Sequence, residues 1–386
     1  MPGKLRSLLS TMVIVPAITL GAVLAVELIG WMVTPTRYQA PPAVTVDAWI
    51  HSDALAPGDS AWMTEFVEEF CRSYTAEWRS YVYFRRKPFA GRHINVDSTG
   101  LRFTPQFART GPNGTRPLHI MLFGGSTMWG TGARDSATIP ASLSRIIASD
   151  PASGPVRVEN FGESGFVSTQ SILRLMLELR RGNVPDYVIF YDGVNDVFSA
   201  YQNQEAGLPQ NESHRAAEFN LLKNGGRRWK IGLDSLYGRT VTASVVNGLR
   251  SLLFGDPKPR DADPELALEV VRSYRGNLDL VESLSRRYGF RYAAYWQPVV
   301  FERKGPSEYE RRQAALWEYA RPLFVETYRR VREDSTLRAQ ESFREISSVF
   351  DDVAQPVFLD FCHITEAGNA IVARRMFEEM KAAGVL

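Results

Sequence analysis

Cysteine and histidine are scarce in this 386-residue chain: there are two of the first, Cys71 and Cys362, and five of the second. Two cysteines make neither a disulfide scaffold nor a four-cysteine zinc site. HExxH and CxxC are both missing, so the sequence implies no metal and no cofactor. An excess of either charge is missing too. The chain has 45 Lys+Arg against 43 Asp+Glu, a net charge of +2, which gives no basis for a nucleic-acid partner or an acidic tail. Its 44% hydrophobic and 23% charged residues are those of an ordinary globular protein.

A long hydrophobic run, by contrast, is present. After Lys4 and Arg6, residues 8–33 are apolar for about 26 positions with Glu27 as the sole charge, enough to cross a bilayer with some tilt. Trp31 sits near the far end, at the depth of an aromatic belt. A cleaved signal peptide is the alternative, with "AVLAV" offering a cut after Ala25 and a secreted product. The apolar sequence continues past that point, however, whereas signal cores run about 7–15 residues. The expectation is an uncleaved single-pass anchor over residues 1–34. Lys4 and Arg6 before the run, against Arg37 alone just after it, place the remainder outside the cytoplasm, periplasmic in a Gram-negative cell. A buried helix of a soluble protein is the third reading.

Residues 35–58, proline-containing and poor in large apolar side chains, read as a linker. Residues 59–117 read as an extension packing on a catalytic domain over 118–386. Within the extension, "AWMTEFVEEFCRSY" puts Trp62, Phe66, Val67, Phe70 and Tyr74 on one helical face. Strand and helix signals then alternate. "LHIMLFG", "VRVENFG", "PDYVIFYDGVND" and "FRYAAYWQPVVF" read as strands, separated or followed by amphipathic helices and closed by "EAGNAIVARRMFEEMKAA". This predicts an α/β fold, a parallel sheet between helices, with ligands outside the carboxyl ends of the strands. Three glycine-containing polar turns fall there: Gly124–Ser126, Asn160–Gly165 and Asp192–Asp196. The stretch from about 199 to 263, with "NGGRRW" and "GDPKPRDAD", is too polar for core and reads as an insertion capping the site. Trp229 and Tyr237 within it are candidate sugar-stacking or packing aromatics.

Ser126, at the first of these turns, has several rivals to its reading as a nucleophile. The phosphate-loop pattern fails because Thr131-Gly132 stand where lysine and hydroxyl belong. GxGxxG fails at Asp135, and GxSxG fails at Met128. An isolated GGS is also an ordinary strand-to-helix turn. A serine nucleophile needs a base. Of the five histidines, His51 and His93 precede the core strands, His119 starts the strand at its wrong end, and His214 lies in the insertion. His363 remains, on a loop before the last helix, with Asp360 three residues earlier to orient it. Backbone N–H groups of Ser126 and Gly165, with the Asn195 amide, are candidate oxyanion donors. Trp129, three residues past the serine, is a candidate pocket wall.

These residues resemble the SGNH (GDSL-like) hydrolase family. GGST at 124–127, NFGESG at 160–165, GVND at 193–196 and DFCH at 360–363 are similar to its four blocks, in the family's order, over about residues 118–380. The resemblance implies a three-layer α/β/α flavodoxin-like fold and ester hydrolysis without a metal. It makes Ser126 the nucleophile, His363 the base and Asp360 its partner, with an oxyanion hole of Ser126, Gly165 and Asn195. The chain departs from the pattern at Gly125, where many members have aspartate. The upstream "NVDSTGLRFT" also resembles the lead-in of an envelope-associated subset linked to polysaccharide acylation. The expected activity is hydrolysis of O-acyl, chiefly acetyl, esters of carbohydrate. An O-acyltransferase on the same scaffold and a catalytically silent carbohydrate-binding domain are the alternatives. In an oxidising compartment Cys71 and Cys362 would be free to pair.

Overall fold

The extension and the apolar runs together build the sheets of the protein. A computed structural model describes residues 61–107, 116–223 and 263–386, together with Ile14, Val15, Ile18 and Gly21. The extension holds the helix Ala61–Ser73 and two short antiparallel pairs, β1 (Ala76–Arg79) with β2 (Tyr83–Arg86) and β3 (Phe89–Ala90) with β4 (Asn95–Val96). Five strands in four parallel pairings follow in a single sheet. β5 (Leu118–Gly124) lies between β6 (Val156–Asn160) and β7 (Tyr187–Asp192), and β8 (Arg291–Trp296) and β9 (Phe343–Glu345) extend the sheet on the β7 side. Ile120 pairs with both Val158 and Tyr187, so β5 is central and its side chains are buried on both faces. That explains its unbroken apolar run.

The order 6-5-7-8-9 is the flavodoxin-like arrangement, in which the chain reverses direction of travel between the first and third strands. From β5 the chain moves outward to β6 through the helix Ile139–Ser149, then returns past β5 to β7 through the helix Ser168–Arg180. Right-handed crossovers with opposite travel put these helices on opposite faces of the sheet. The first packs against the C-terminal helix Glu366–Ala382, and the second against Pro264–Tyr288, which also packs on Arg321–Glu333. The crevice between the carboxyl ends of β5 and β7 is therefore the switch point where ligands bind.

Two compact units divide the chain: Pro41–Glu212 with Pro259–Leu386, and Met1–Ala40 with Ser213–Lys258. The sheet and everything described so far belong to the first. Of the second, residues 213–223 of the helix Glu212–Lys223 and the four N-terminal positions are described. The start of the expected insertion belongs to the first unit. Ser199 and Ala200 are buried in the helix Val194–Asn203, where the sequence pattern suggested a cap. Residues 224–262 of the insertion, with Trp229 and Tyr237, lie outside the described residues, as do the linker and nearly all of the anchor segment 8–33. Among the described residues no helix is long and apolar enough to cross a membrane.

Candidate active site

The loop before the last helix folds back on itself. The Leu359 N–H donates to the His363 carbonyl at 2.8 Å and the Thr365 N–H to that of Val357 at 2.8 Å. Thr365 then caps the helix, its side chain accepting from the Gly368 N–H at 3.1 Å. The turn brings Asp360 onto His363. Oδ1 of Asp360 accepts the backbone N–H groups of Cys362 and His363 at 2.9 and 2.8 Å, and Oδ2 meets His363 Nδ1 at 2.6 Å. His363 Nε2 lies 2.7 Å from Ser126 Oγ, across 237 residues of sequence. Burial works against the Asp360 charge. The imidazole beside it and the two backbone donors outweigh that cost and hold its pKa below the ordinary carboxylate value. Asp360, Cys362 and His363 also lie close enough together to be weighed as metal ligands. Both imidazole nitrogens are engaged, however, one by a carboxylate and one by a hydroxyl, which is the arrangement of an acid–base relay.

Ser126 opens a one-turn helix, Ser126–Trp129, directly after β5. A cavity of about 100 Å³ above it is lined by Ser126, Gly165, Asn195 and His363, with Phe70, Tyr74, Phe198, Trp317 and Phe361 among its walls. A larger cleft of about 710 Å³, lined by Arg291, Tyr295 and Arg344 among others, lies by the amino end of β8, the end that such sheets do not use for ligands. At the catalytic end, Asn195 Nδ2 donates to the Phe166 carbonyl at 2.8 Å, and its Oδ1 accepts from Gln210 Nε2 at 3.2 Å. These contacts assign the amide orientation, with nitrogen toward Gly125. Gly165 has φ +78, and Gln210 Oε1 lies 3.0 Å from the position a Cβ there would take.

Gly125 is required by close approach: a Cβ at this position would lie 2.2 Å from Asn195 Nδ2. An aspartate here, as in the motif that residues 124–127 resemble, would therefore collide with the Asn195 amide. Gly125→Ala is expected to displace the amide and lower kcat by about 10²-fold, the scale of losing one oxyanion donor. KM should stay nearly constant. Steady-state kinetics check this, and an unchanged kcat would remove Asn195 from the hole.

Several positioning residues have no motif of their own. Gln297, just past β8, donates through Nε2 to Thr127 Oγ1 at 3.1 Å and accepts the Val194 N–H at 3.3 Å, tying the Ser126 turn to the Asn195 turn. Arg86 donates to Ser164 Oγ at 2.7 Å, and its own N–H donates to Glu163 at 2.8 Å, holding the loop that carries Gly165. Arg102, from the "GLRFT" stretch, is fully buried. Its guanidinium donates to Asp135 at 2.9 Å and to the carbonyls of Trp129, Gly130 and Ala133 at 3.2, 2.6 and 2.5 Å. It thereby fixes the loop that follows the helix Ser126–Trp129. In the turn after β7, burial drives the Asp192 and Asp196 carboxyls upward, and the Asp196 charge raises Asp192 further.

Trp129 is not a pocket wall. Its ring is fully buried outside the cavity, between the guanidinium groups of Arg86 (4.6 Å) and Arg102 (4.3 Å) and against Phe70. Proximity to Ser126 in sequence misled, because two cations and a second apolar cluster draw the ring inward. The aromatic walls come instead from Phe70 and Tyr74 in the extension and from Trp317 and Phe361, whose rings lie 4.4 Å apart. Cys71 and Cys362, which the sequence leaves free to pair, are both free thiols. Cys362 is buried at the cavity floor with Sγ 3.8 Å from His363 Nδ1, and burial raises its thiol pKa well above the usual value.

No protein-family model matches the sequence, and no curated protein does. Among solved structures the chain is similar to Axe2, an acetylxylan esterase from Geobacillus stearothermophilus, at 14% identity over 68% of this chain and 93% of that one, TM-score 0.34. It is similar to a member of the lipolytic protein G-D-S-L family from Veillonella parvula at 12% identity over 67% and 96%, TM-score 0.35. It is also similar to an alpha/beta hydrolase enzyme from the metagenome of Lake Arreo, Spain, at 16% identity over 68% and 94%, TM-score 0.36. These are loose likenesses, so the functional reading rests on the site's own residues.

Proposed function

We propose that the protein is a serine esterase that removes short O-acyl groups, acetyl above all, from carbohydrate. The observation that carries this reading is the unbroken relay from Ser126 Oγ to His363 Nε2 (2.7 Å) and from His363 Nδ1 to Asp360 Oδ2 (2.6 Å), opening onto a cavity walled by Gly165 and Asn195. Neutral His363, with its proton on the Nδ1 facing Asp360, takes the Ser126 hydroxyl proton as Oγ attacks the ester carbonyl. The oxyanion is met by the N–H groups of Ser126 and Gly165 and by Asn195 Nδ2. The imidazolium gives its proton to the departing sugar oxygen, leaving acyl-Ser126. Water then loses a proton to His363 Nε2 as it attacks the acyl carbon, and the imidazolium passes that proton to Ser126 Oγ as the acyl–Oγ bond breaks, releasing the carboxylic acid and restoring the free serine. Asp360 stays ionised and stabilises the imidazolium, a role that the neighbouring imidazole and backbone donors, which hold its pKa below the ordinary carboxylate value, support.

The size of the cavity, about 100 Å³, supports a short acyl group, and Tyr74 and Trp317 at its walls offer faces for a sugar ring. The apolar run at 8–33 supports an anchored enzyme acting outside the cytoplasm. The test is hydrolysis of p-nitrophenyl acetate, butyrate and octanoate by the full chain, beside acetate release from an O-acetylated sugar. Acetate is expected to exceed octanoate by about 100-fold or more in kcat/KM, since surplus methylenes find no room. A folded protein that cleaves none of these esters, or that prefers octanoate, would overturn the reading.

A further inference from the structure

Gln210 lies beside both Asn195 and Gly165. Its Nε2 donates to Asn195 Oδ1, and its Oε1 occupies the space beside Gly165. The segment around it is tied through two backbone carbonyls and one side chain. Ser199 Oγ donates to the Leu208 carbonyl at 2.6 Å, Asn203 Nδ2 to the Pro209 carbonyl at 3.0 Å, and Tyr83 Oη to the Glu212 carboxylate at 2.9 Å. A carboxamide is nearly symmetric in shape but not in charge. With Nδ2 on the Gly125 side, toward the cavity that Ser126 also lines, the Asn195 amide offers an oxyanion a donor, whereas the flipped amide presents an oxygen and repels it. Two contacts choose between these states: the Phe166 carbonyl, which accepts from Nδ2, and Gln210, which donates to Oδ1.

We infer that Gln210 is a positioning residue that locks the Asn195 amide in its donor orientation, so that the segment 199–212 sets the turnover of the esterase. This inference rests on the reading of the site given above. Gln210 acts on the transition state through Asn195, so its loss reduces kcat and leaves ground-state binding alone.

The experiment compares the full-chain wild type with Gln210→Ala and Gln210→Glu on p-nitrophenyl acetate across pH, with fluorophosphonate labelling of Ser126 in parallel. Gln210→Ala is expected to lower kcat about 10- to 100-fold, short of deleting a donor outright, with KM within about twofold. Its ratio to wild type should be flat with pH. In Gln210→Glu a protonated carboxyl still donates to Asn195 Oδ1, whereas the carboxylate repels it. Its kcat ratio to wild type should therefore rise as pH falls through that ionisation. A kcat for Gln210→Ala within twofold of wild type, or ratios equally flat in both variants, would overturn the inference and leave the esterase reading standing. A folded wild type that neither hydrolyses the ester nor labels at Ser126 would overturn both.

Discussion

Ser126→Ala is expected to lower kcat for ester hydrolysis by about 10⁶-fold, and His363→Ala to do nearly as much, with the double variant no worse than either. The reason is that the two residues act as one unit. Ser126 Oγ and His363 Nε2 are 2.7 Å apart, so neither the hydroxyl nor the imidazole performs its step without the other. Removing one leaves the second with no reaction to assist. Both side chains line a cavity rather than fill a core, so truncation leaves little void and the fold should survive. The measurements are kcat for p-nitrophenyl acetate in the four proteins, far-UV circular dichroism, and the mass of protein trapped with a fluorophosphonate. Additive losses in the double variant would show that serine and histidine work independently, which the proposed mechanism forbids. Full activity in Ser126→Ala would move the nucleophile elsewhere.

The parts of this site legible from sequence share a physical property: each is a local pattern read at a strand end. The run Leu118–Gly124 could only be a strand buried on both faces, and its glycine turn placed Ser126 at a carboxyl end. The same logic applied to Val156–Asn160 and Tyr187–Asp192, and so to Gly165 and Asn195. His363 was reachable by elimination because histidines are few and one stood before a helix with a carboxylate three residues back.

What stayed hidden depends on contacts between distant segments. Phe70 was assigned to the buried face of its helix, as observed, but nothing in a helical stripe says that the face ends at a cavity wall. Gln297 and Gln210 carry no periodicity or motif, and their roles exist only once three loops meet. β9 was not read at all, because three residues, Phe343–Glu345, are too few for an alternation to register. Arg102 is the instructive case. An arginine in a short strand-like stretch reads as solvent-facing, yet it is fully buried because three carbonyls and Asp135 meet its donors. The "GLRFT" resemblance was a signal for it, one whose physical content appears only in the folded chain.

Asp360→Asn should leave the fold intact and lower kcat by about 10⁴-fold, the scale on which triads respond to this change. The asparagine oxygen can still accept the N–H groups of Cys362 and His363, now met at 2.9 and 2.8 Å, so the loop keeps its turn. The amide nitrogen must then face His363 Nδ1, where Oδ2 stands at 2.6 Å. A donor there demands an acceptor, which drives the imidazole proton to Nε2, the atom that has to receive the serine proton. The base is present but in the wrong tautomer. Asp360→Ala fails differently. It leaves two buried N–H groups without a partner, at about 1–3 kcal/mol each, so it should also lower the melting temperature. Comparing kcat with thermal melting in the two variants separates the roles. Equal kcat losses and equal destabilisation would mean that Asp360 serves only to hold the loop. A large kcat loss with an unchanged melting temperature in Asp360→Asn alone would mean that its charge orients and stabilises His363 in the reaction.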